Sequence, residues 1–159
     1  MRLLVFLHGT MLMHAGGLGV TRAERVAQVR DKHPTVQEYA AYVPVGGAVA
    51  KLRRWQDAGA VVDYLSSHRN PDDVAADVLV LRTYGFPVGR VLARRPGESY
   101  GDIAAREAPD VLIEDDCESI GAAQVTYPQI APAVRPLIKS IIVPEFSGID
   151  HLPEDPKPC

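Results

Sequence analysis

The turn His8-Gly9-Thr10 combines side chains that can do chemistry with a glycine that permits a tight bend. It directly follows an apolar run at residues 3–7, which is typical of a buried strand. Because an imidazole titrates near neutral pH, His8 can act as a nucleophile, as a general acid or base, or as a metal ligand. We therefore take His8 and Thr10 as candidate catalytic residues, with a purely structural histidine as the alternative.

Two other apolar runs are followed by groups that can hold an anion. Hydroxyls and a backbone amide at the end of a strand can bind a phosphate or carboxylate oxygen, and arginine offers planar donors that suit phosphate. The candidate substrate-binding residues are Ser66, Ser67, His68, Arg94 and Arg95. The alternatives are a helix-capping or turn hydrogen bond for the serines, and a solvent-facing or carboxylate-paired side chain for one of the arginines.

Three consecutive carboxylates, Glu114, Asp115 and Asp116, follow the apolar residues 111–113. Their mutual repulsion raises their pKa values unless a cation lies between them, and hard oxygen ligands of this kind suit Mg²⁺. The sequence therefore predicts a magnesium site at these residues; the alternative is an acidic turn that caps a short helix. Cys117, beside the carboxylates, is expected to have a raised pKa and so not to be a reactive thiolate.

The apolar runs recur with helical segments between them, which is typical of an α/β fold. We predict five parallel strands with helices on both faces, the strands lying at residues 3–7, 61–65, 90–93, 111–113 and 140–143. Because the carboxyl ends of parallel strands share one edge of the sheet, the polar groups described above are expected to lie together there. His14 and His68 are expected to approach His8.

Helix signals lie between these strands. Asn70-Pro71, followed by two aspartates, predicts a helix that runs to about Tyr84 and stops at Gly85. Residues 46–58 have the periodicity of an amphipathic helix, and residues 99–107 form a further helix that begins at a capping residue.

Residues 11–44 do not fit the alternation of strands and helices and are expected to form a small helical lid over the carboxyl edge of the sheet. Thr21-x-x-Glu24 and Thr35-x-x-Glu38 each predict the start of a short helix. A separate hypothesis assigns Tyr39, Tyr42 and Leu18 to a contact in a homodimer.

The proline-rich residues 145–159 are expected to form an irregular tail. It either lies on the surface or returns over the edge of the sheet, in which case Asp150 or His151 would reach the site.

Length and composition favour one domain spanning residues 1–159, since the chain is 47% hydrophobic. The 17 Lys and Arg residues oppose 20 Asp and Glu residues without a basic cluster, which argues against binding to duplex nucleic acid. No apolar run approaches the roughly 18 residues of a membrane span. The two cysteines, Cys117 and Cys159, form no disulfide framework, so a cytoplasmic location is expected.

The order of these motifs resembles the haloacid dehalogenase (HAD) superfamily. Residues 6–10 occupy the place of its first motif, Asp-x-Asp-Gly-Thr, of which they keep Gly9-Thr10, and residues 64–69 occupy the place of its second. Arg94 or Arg95 would supply the cation of the third motif, and residues 112–116 the acidic fourth. The resemblance implies a three-layer Rossmann-like fold with a small lid. In the family, the first Asp attacks phosphorus and binds Mg²⁺, and the second is a general acid or base.

Phe6 and His8 stand where the family has these two aspartates. Phe6 excludes a phosphoaspartate mechanism at that position, whereas His8 can retain proton transfer. Two hypotheses follow. The favoured one is an atypical hydrolase or phosphotransferase that acts on a phosphorylated or anionic small molecule, with His8 as nucleophile or general acid/base. The other is a non-catalytic binding or regulatory module that lost the nucleophile.

Overall fold

The computed structural model describes residues 1–155 and contains a five-stranded parallel sheet. In chain order, the elements are β1 (Arg2–Phe6), β2 (Leu12–Met13), α1 (Arg22–Arg30), β3 (Val43–Pro44), α2 (Ala48–Asp57), β4 (Val61–Leu65), α3 (Pro71–Tyr84), β5 (Val91–Leu92), α4 (Tyr100–Glu107), β6 (Val111–Asp115) and β7 (Lys139–Val143). The strand order is β5-β4-β1-β6-β7. The predicted α/β fold with five parallel strands is confirmed, although β5 has only two residues.

The central strand β1 is buried on both faces, which explains its uninterrupted apolar sequence. Leu3 and Val5 pack into a core with Trp55 of α2 on one side of the sheet. Leu4 packs on the other side with Ile103 of α4. Alternation of side chains along one strand therefore builds the two cores of a three-layer fold.

The register of β1 and β4 decides which residues meet beyond the ends of the strands. Phe6 lies opposite Leu65 in this parallel pair. Two residues further along each chain, the same register brings His8 level with Ser67. The carboxyl edge of the sheet thus joins two of the residues that the sequence identified.

The predicted helix starts are confirmed in detail for α3 and α4. The Asn70 side chain accepts a hydrogen bond from the amide of Asp72 at the start of α3, and Gly85 ends this helix with a left-handed φ of 72°. Ser99 and Asp102 form a reciprocal capping box at the start of α4.

Residues 11–44 contain one α-helix rather than two. Thr21 and Glu24 form the predicted capping box of α1. The second predicted helix is wrong: this stretch forms two short 3-10 helices, Pro34–Gln37 and Tyr39–Ala41. The Thr35 hydroxyl accepts the amide of Gly16 and pairs with the His33 ring, so it is not free to cap a helix. The segment also contains the antiparallel pair β2–β3, which the sequence did not predict.

The irregular tail folds back onto α2. The Asp150 carboxylate accepts a hydrogen bond from the amide of Gly47, just before the helix begins. The Lys51 ammonium donates to the carbonyl of Leu152 at 2.6 Å. Asp150 therefore holds the start of α2 and not the candidate site, and His151 is exposed to solvent. The part of the tail beyond residue 155, with Cys159, lies outside the described residues.

No helix within residues 1–155 is long and apolar enough to cross a membrane.

The contact between the tail and α2 can be tested at Lys51. The Lys51 side chain is only 2% exposed, and its ammonium binds both the Leu152 carbonyl and the carboxylate of Glu154. We expect Lys51→Ala to lower the free energy of unfolding by about 2 kcal/mol, because it removes a buried stem and a charged hydrogen bond. Arg54→Ala is the control, since this exposed side chain pairs with the same Glu154 and an exposed pair contributes less than about 1 kcal/mol. Urea unfolding measures both variants, and equal losses would contradict this account of the tail.

Candidate functional site

A cavity of about 120 Å³ lies at the carboxyl edge of the sheet, between the strand ends and residues of the 11–44 segment. It is lined by Phe6, His8, Gly9, Val29, Val36, Tyr42, Ser67, Tyr100, Asp115, Cys117, Ser119, Ile120, Gln124, Glu145 and Phe146. This is the edge at which open α/β folds bind ligands. The candidate residues that reach the cavity are His8, Ser67 and Asp115.

A hydroxyl, an imidazole and a carboxylate form a chain of hydrogen bonds at the cavity wall. His8 Nε2 lies 2.9 Å from Asp77 Oδ1, and His8 Nδ1 lies 2.8 Å from Ser67 Oγ. An ionised carboxylate can only accept, so Nε2 carries the proton of a neutral ring and Nδ1 accepts the hydroxyl of Ser67. The arrangement can move a proton between Ser67 and His8.

Asp77 was not identified from the sequence, although it anchors this chain of hydrogen bonds. It lies on α3, is 1% exposed, and accepts a second hydrogen bond from Ser66 Oγ at 2.6 Å. Burial alone would raise the pKa of Asp77, but the adjacent His68 ring and the hydrogen bonds from His8 and Ser66 hold the pKa well below its usual range. The one signal in the sequence was an aspartate on the helix face that also carries Val80 and Leu81, three and four residues on.

The His68 ring packs against that of His8, with centroids 4.4 Å apart and planes tilted by 44°, and its Nδ1 lies 3.3 Å from Asp77 Oδ2. Burial lowers the pKa of His68, but the Asp77 carboxylate offsets this and leaves the pKa above its usual value. His14, which was expected to approach His8, instead pairs with Gln28 in the 11–44 segment.

The two serines have different roles. Ser66 is fully buried, and its hydroxyl donates to Asp77 and accepts the amide of His68. Ser66 therefore positions other groups. In contrast to the prediction that it binds a substrate, it does not reach a ligand. Ser67 faces the cavity.

Tyr39 and Tyr42 cover the histidines from the 11–44 segment. The Tyr39 ring lies 4.2 Å from that of His68, and the Tyr42 ring lies 5.6 Å from that of His8. Tyr42 is buried within the chain, so it is not available for the homodimer contact that was hypothesised. Leu18 is exposed.

Of the two candidate arginines, Arg94 lies beside the cavity. Its Nη2 donates to the carbonyl oxygen of Ser67 at 3.1 Å, and its guanidinium carbon lies 4.0 Å from the centroid of the Tyr100 ring. Arg95 is exposed to solvent. The structure therefore assigns the cation near Ser67 to Arg94.

Asp115 ties the His8 turn to β6 from the opposite side of the cavity. Its Oδ1 accepts the Thr10 hydroxyl at 2.7 Å, and its Oδ2 accepts the amide of Cys117 at 3.0 Å. Burial raises the pKa of Asp115 to about 6 even though these hydrogen bonds lower it. Thr10 was predicted to be catalytic, but it is fully buried and its hydroxyl donates to Asp115, so it positions that carboxylate. Gly9 passes so close that an added Cβ would lie 2.9 Å from Asp115 Oδ1.

The three consecutive carboxylates do not converge on one point, because successive residues of a strand face opposite sides of the sheet. Glu114 accepts the amides of Thr126 and Tyr127. Asp116 accepts the amides of Glu118 and Glu145. Since their oxygens are used in separate places, Glu114, Asp115 and Asp116 do not fit a shared Mg²⁺ ion.

The described residues contain one other group whose geometry suits a metal ion, namely His8, His68 and Asp77, with ligand atoms within 4.8 Å of one another. Two imidazoles favour a transition metal over magnesium. A metal would need the lone pair of His8 Nε2, but Nε2 carries a proton in the hydrogen bonds that link Ser67, His8 and Asp77. Metal binding and the hydrogen bond to Asp77 therefore exclude each other.

The acidic wall of the cavity continues into the segments that follow β6 and β7. Cys117 and Phe146 both have left-handed backbones, with φ of 55° and 63°, and such strain is common near functional sites. The Glu145 carboxylate accepts the amide and hydroxyl of Ser119, and burial raises the pKa of Glu145. Glu145 was not identified from the sequence, because this residue was assigned to an irregular tail.

Comparison with known proteins identifies the fold. No protein-family model and no curated protein matches this chain. The structure is similar to the crystal structure of the class C acid phosphatase from Bacillus anthracis with tungstate bound, with a TM-score of 0.55 and 17% sequence identity over 92% of this chain and 68% of that chain. This likeness concerns the fold, and it confirms the predicted α/β fold with a five-stranded parallel sheet, which this chain shares with that phosphatase.

The raised pKa of Asp115 predicts a pH-dependent stability. Because its pKa is about 6 in the folded chain and roughly 4 in an unfolded chain, folding retains the proton between these values. This contribution is fully present below about pH 4 and is lost as pH rises through about 6. We expect the free energy of unfolding of the wild type to fall by on the order of 2 kcal/mol relative to Asp115→Asn between pH 4 and pH 8.

Urea unfolding across this pH range measures the difference between the two proteins. Asp57→Asn, at the exposed end of α2, is the matched control and should follow the wild type at every pH. A constant difference between the wild type and Asp115→Asn would contradict the assignment of a raised pKa.

Proposed function

We propose that this protein is an atypical HAD-like hydrolase that acts on a small phosphorylated or otherwise anionic molecule, with His8 as the general acid/base. The observation that carries the proposal is the hydrogen-bonded chain from Asp77 through His8 to Ser67 at the wall of the cavity. A carboxylate that orients an imidazole toward a hydroxyl is the arrangement that general base catalysis requires.

The geometry favours a base over a nucleophile for His8. Asp77 holds the proton on Nε2, and the lone pair of Nδ1 is directed at the Ser67 hydroxyl. Both nitrogens are therefore engaged in hydrogen bonds, and the one lone pair of the neutral ring is used to accept the Ser67 proton rather than to attack a substrate. Phe6 fills the place of the family's attacking carboxylate and packs edge-on against Tyr100, with ring centroids 5.2 Å apart.

The charges around the cavity indicate where an anion would bind. Arg94 lies at the Ser67 end, whereas Asp115 and Glu145 lie at the other. A phosphate or carboxylate group of the substrate is therefore expected beside Ser67 and Arg94. Magnesium is not part of this proposal, because Glu114, Asp115 and Asp116 do not share a site.

The alternative is a non-catalytic binding module with the same cavity. Turnover distinguishes the two functions, since a binding module needs the cavity but not the proton transfer.

The test measures hydrolysis of p-nitrophenyl phosphate and a panel of small phosphate esters by the wild type and by His8→Ala. We expect His8→Ala to lower kcat roughly 100- to 10,000-fold, which is the usual contribution of a general acid/base. His151→Ala is the control because His151 is an exposed histidine of the tail, and it should retain full activity. If the wild type turns over no ester of the panel, the proposed hydrolysis of phosphate esters is wrong.

A further inference from the structure

We propose that Ser67 is a nucleophile that takes the acyl group of a short carboxylic ester, so that the chain Ser67–His8–Asp77 gives this HAD-like fold a serine esterase activity. The inference rests on the proposed role of His8 as a base. It goes beyond that role, because His8 could instead activate a water molecule and leave the protein unmodified.

The Ser67 hydroxyl faces the cavity and contacts the imidazole. Its Oγ lies 2.8 Å from His8 Nδ1. The neighbouring Ser66 is excluded as a nucleophile, since it is fully buried and its hydroxyl is held by Asp77 at 2.6 Å. Ser119 and Cys117 also line the cavity, but the Ser119 hydroxyl donates to Glu145 at 2.7 Å, and burial raises the pKa of the Cys117 thiol.

The backbone holds Ser67 in place at the cavity wall. The amide of Ser66, the preceding residue, donates to the carbonyl of Leu92 at 2.8 Å. Ser67 lies in a bend beyond Leu65, the last residue of β4, and Arg94 donates to its carbonyl oxygen. The main chain on both sides of the Ser67 side chain is therefore restrained.

Asp77 is a positioning residue in this chain. It contacts neither the cavity nor a substrate, but it fixes the ring of His8 and stabilises the imidazolium that forms when Ser67 loses its proton. Ser66 holds the second carboxylate oxygen and thereby keeps Asp77 in place.

The cavity lining suits the uncharged acyl part of an ester, while an anionic group of the same substrate would lie outside the lining, beside Arg94. Among its lining residues within the described chain there is no Lys or Arg, whereas Asp115 and Glu145 contribute two carboxylates. The other walls are mostly apolar. Because the cavity volume is only about 120 Å³, a short acyl group is the appropriate one to test first.

The reaction balances with water as the second substrate. The Ser67 hydroxyl gives its proton to His8 Nδ1 while Oγ bonds to the carbonyl carbon, and the alcohol then leaves with that proton as its C–O bond breaks. Water next gives a proton to His8 and attacks the acyl-Ser67 ester. Carboxylic acid is released, and the proton returns to Ser67 Oγ.

The experiment treats the full chain with diisopropyl fluorophosphate, which forms a bond to an activated serine and releases fluoride. EDTA is present, so that a metal at His8, His68 and Asp77 does not contribute. Intact mass and peptide mapping should find one adduct, on Ser67. The same protein should hydrolyse p-nitrophenyl acetate with an initial burst.

Variants test separately whether Ser67 is the nucleophile, whether His8 is the base, and whether a loss of labelling comes from unfolding. Ser67→Ala should abolish the adduct, and Ser147→Ala, which removes an exposed serine, should label like the wild type. His8→Ala and Asp77→Asn should slow labelling more than about 100-fold. Added imidazole should restore labelling of His8→Ala, a rescue that an unfolded variant would not give.

No adduct on folded wild-type protein, an adduct on another residue, or labelling that His8→Ala leaves unchanged would overturn the proposal. These outcomes are distinct from failure of the proposed function. If Ser67→Ala still hydrolyses phosphate esters, His8 activates water and only the serine nucleophile is wrong. If Ser67 is labelled but no phosphate ester turns over, the esterase inference stands and the phosphate substrate is wrong.

Discussion

The buried carboxylate of Asp77 is the constraint on which the candidate site depends. An ionised carboxylate in the interior is destabilising by several kcal/mol unless hydrogen bonds satisfy it. Here the donors come from the turn after β1, through His8, and from the end of β4, through Ser66 and the nearby His68. One charge on α3 therefore holds together the ends of two strands, and the cavity wall takes its shape from that requirement.

A second carboxylate, Asp115, holds the same turn from the opposite side. Hydrogen bonds from Thr10 and the amide of Cys117 bind it, and Gly9 leaves the space that its oxygens need. The environments of the two aspartates differ: hydrogen bonds hold the pKa of Asp77 low, whereas burial raises that of Asp115 to about 6. Such divergence between neighbouring acids is common at sites that transfer protons.

Much of the fold could be predicted from the sequence because its signals are local. Apolar runs predicted the five strands, and capping residues such as Asn70 and Ser99 predicted where helices begin. The site was predicted in part: His8, Ser67 and Arg94 follow strand ends that a parallel sheet brings together. The local signal was misleading at Thr35. The capping pattern there predicted the start of a helix, but the Thr35 hydroxyl accepts the amide of Gly16.

The sequence by itself determined the parallel sheet and the edge at which the candidate site lies, since periodicity, caps and residue types act over a few positions. Only the tertiary structure decided which polar side chains of the candidate site lie next to one another. It paired His8 with Asp77, 69 residues away, separated Asp115 from Glu114, and brought Glu145 to the cavity. The physical reason is that a buried polar group must be satisfied by whichever donors the packing brings within about 3 Å, and packing is not encoded in any short segment.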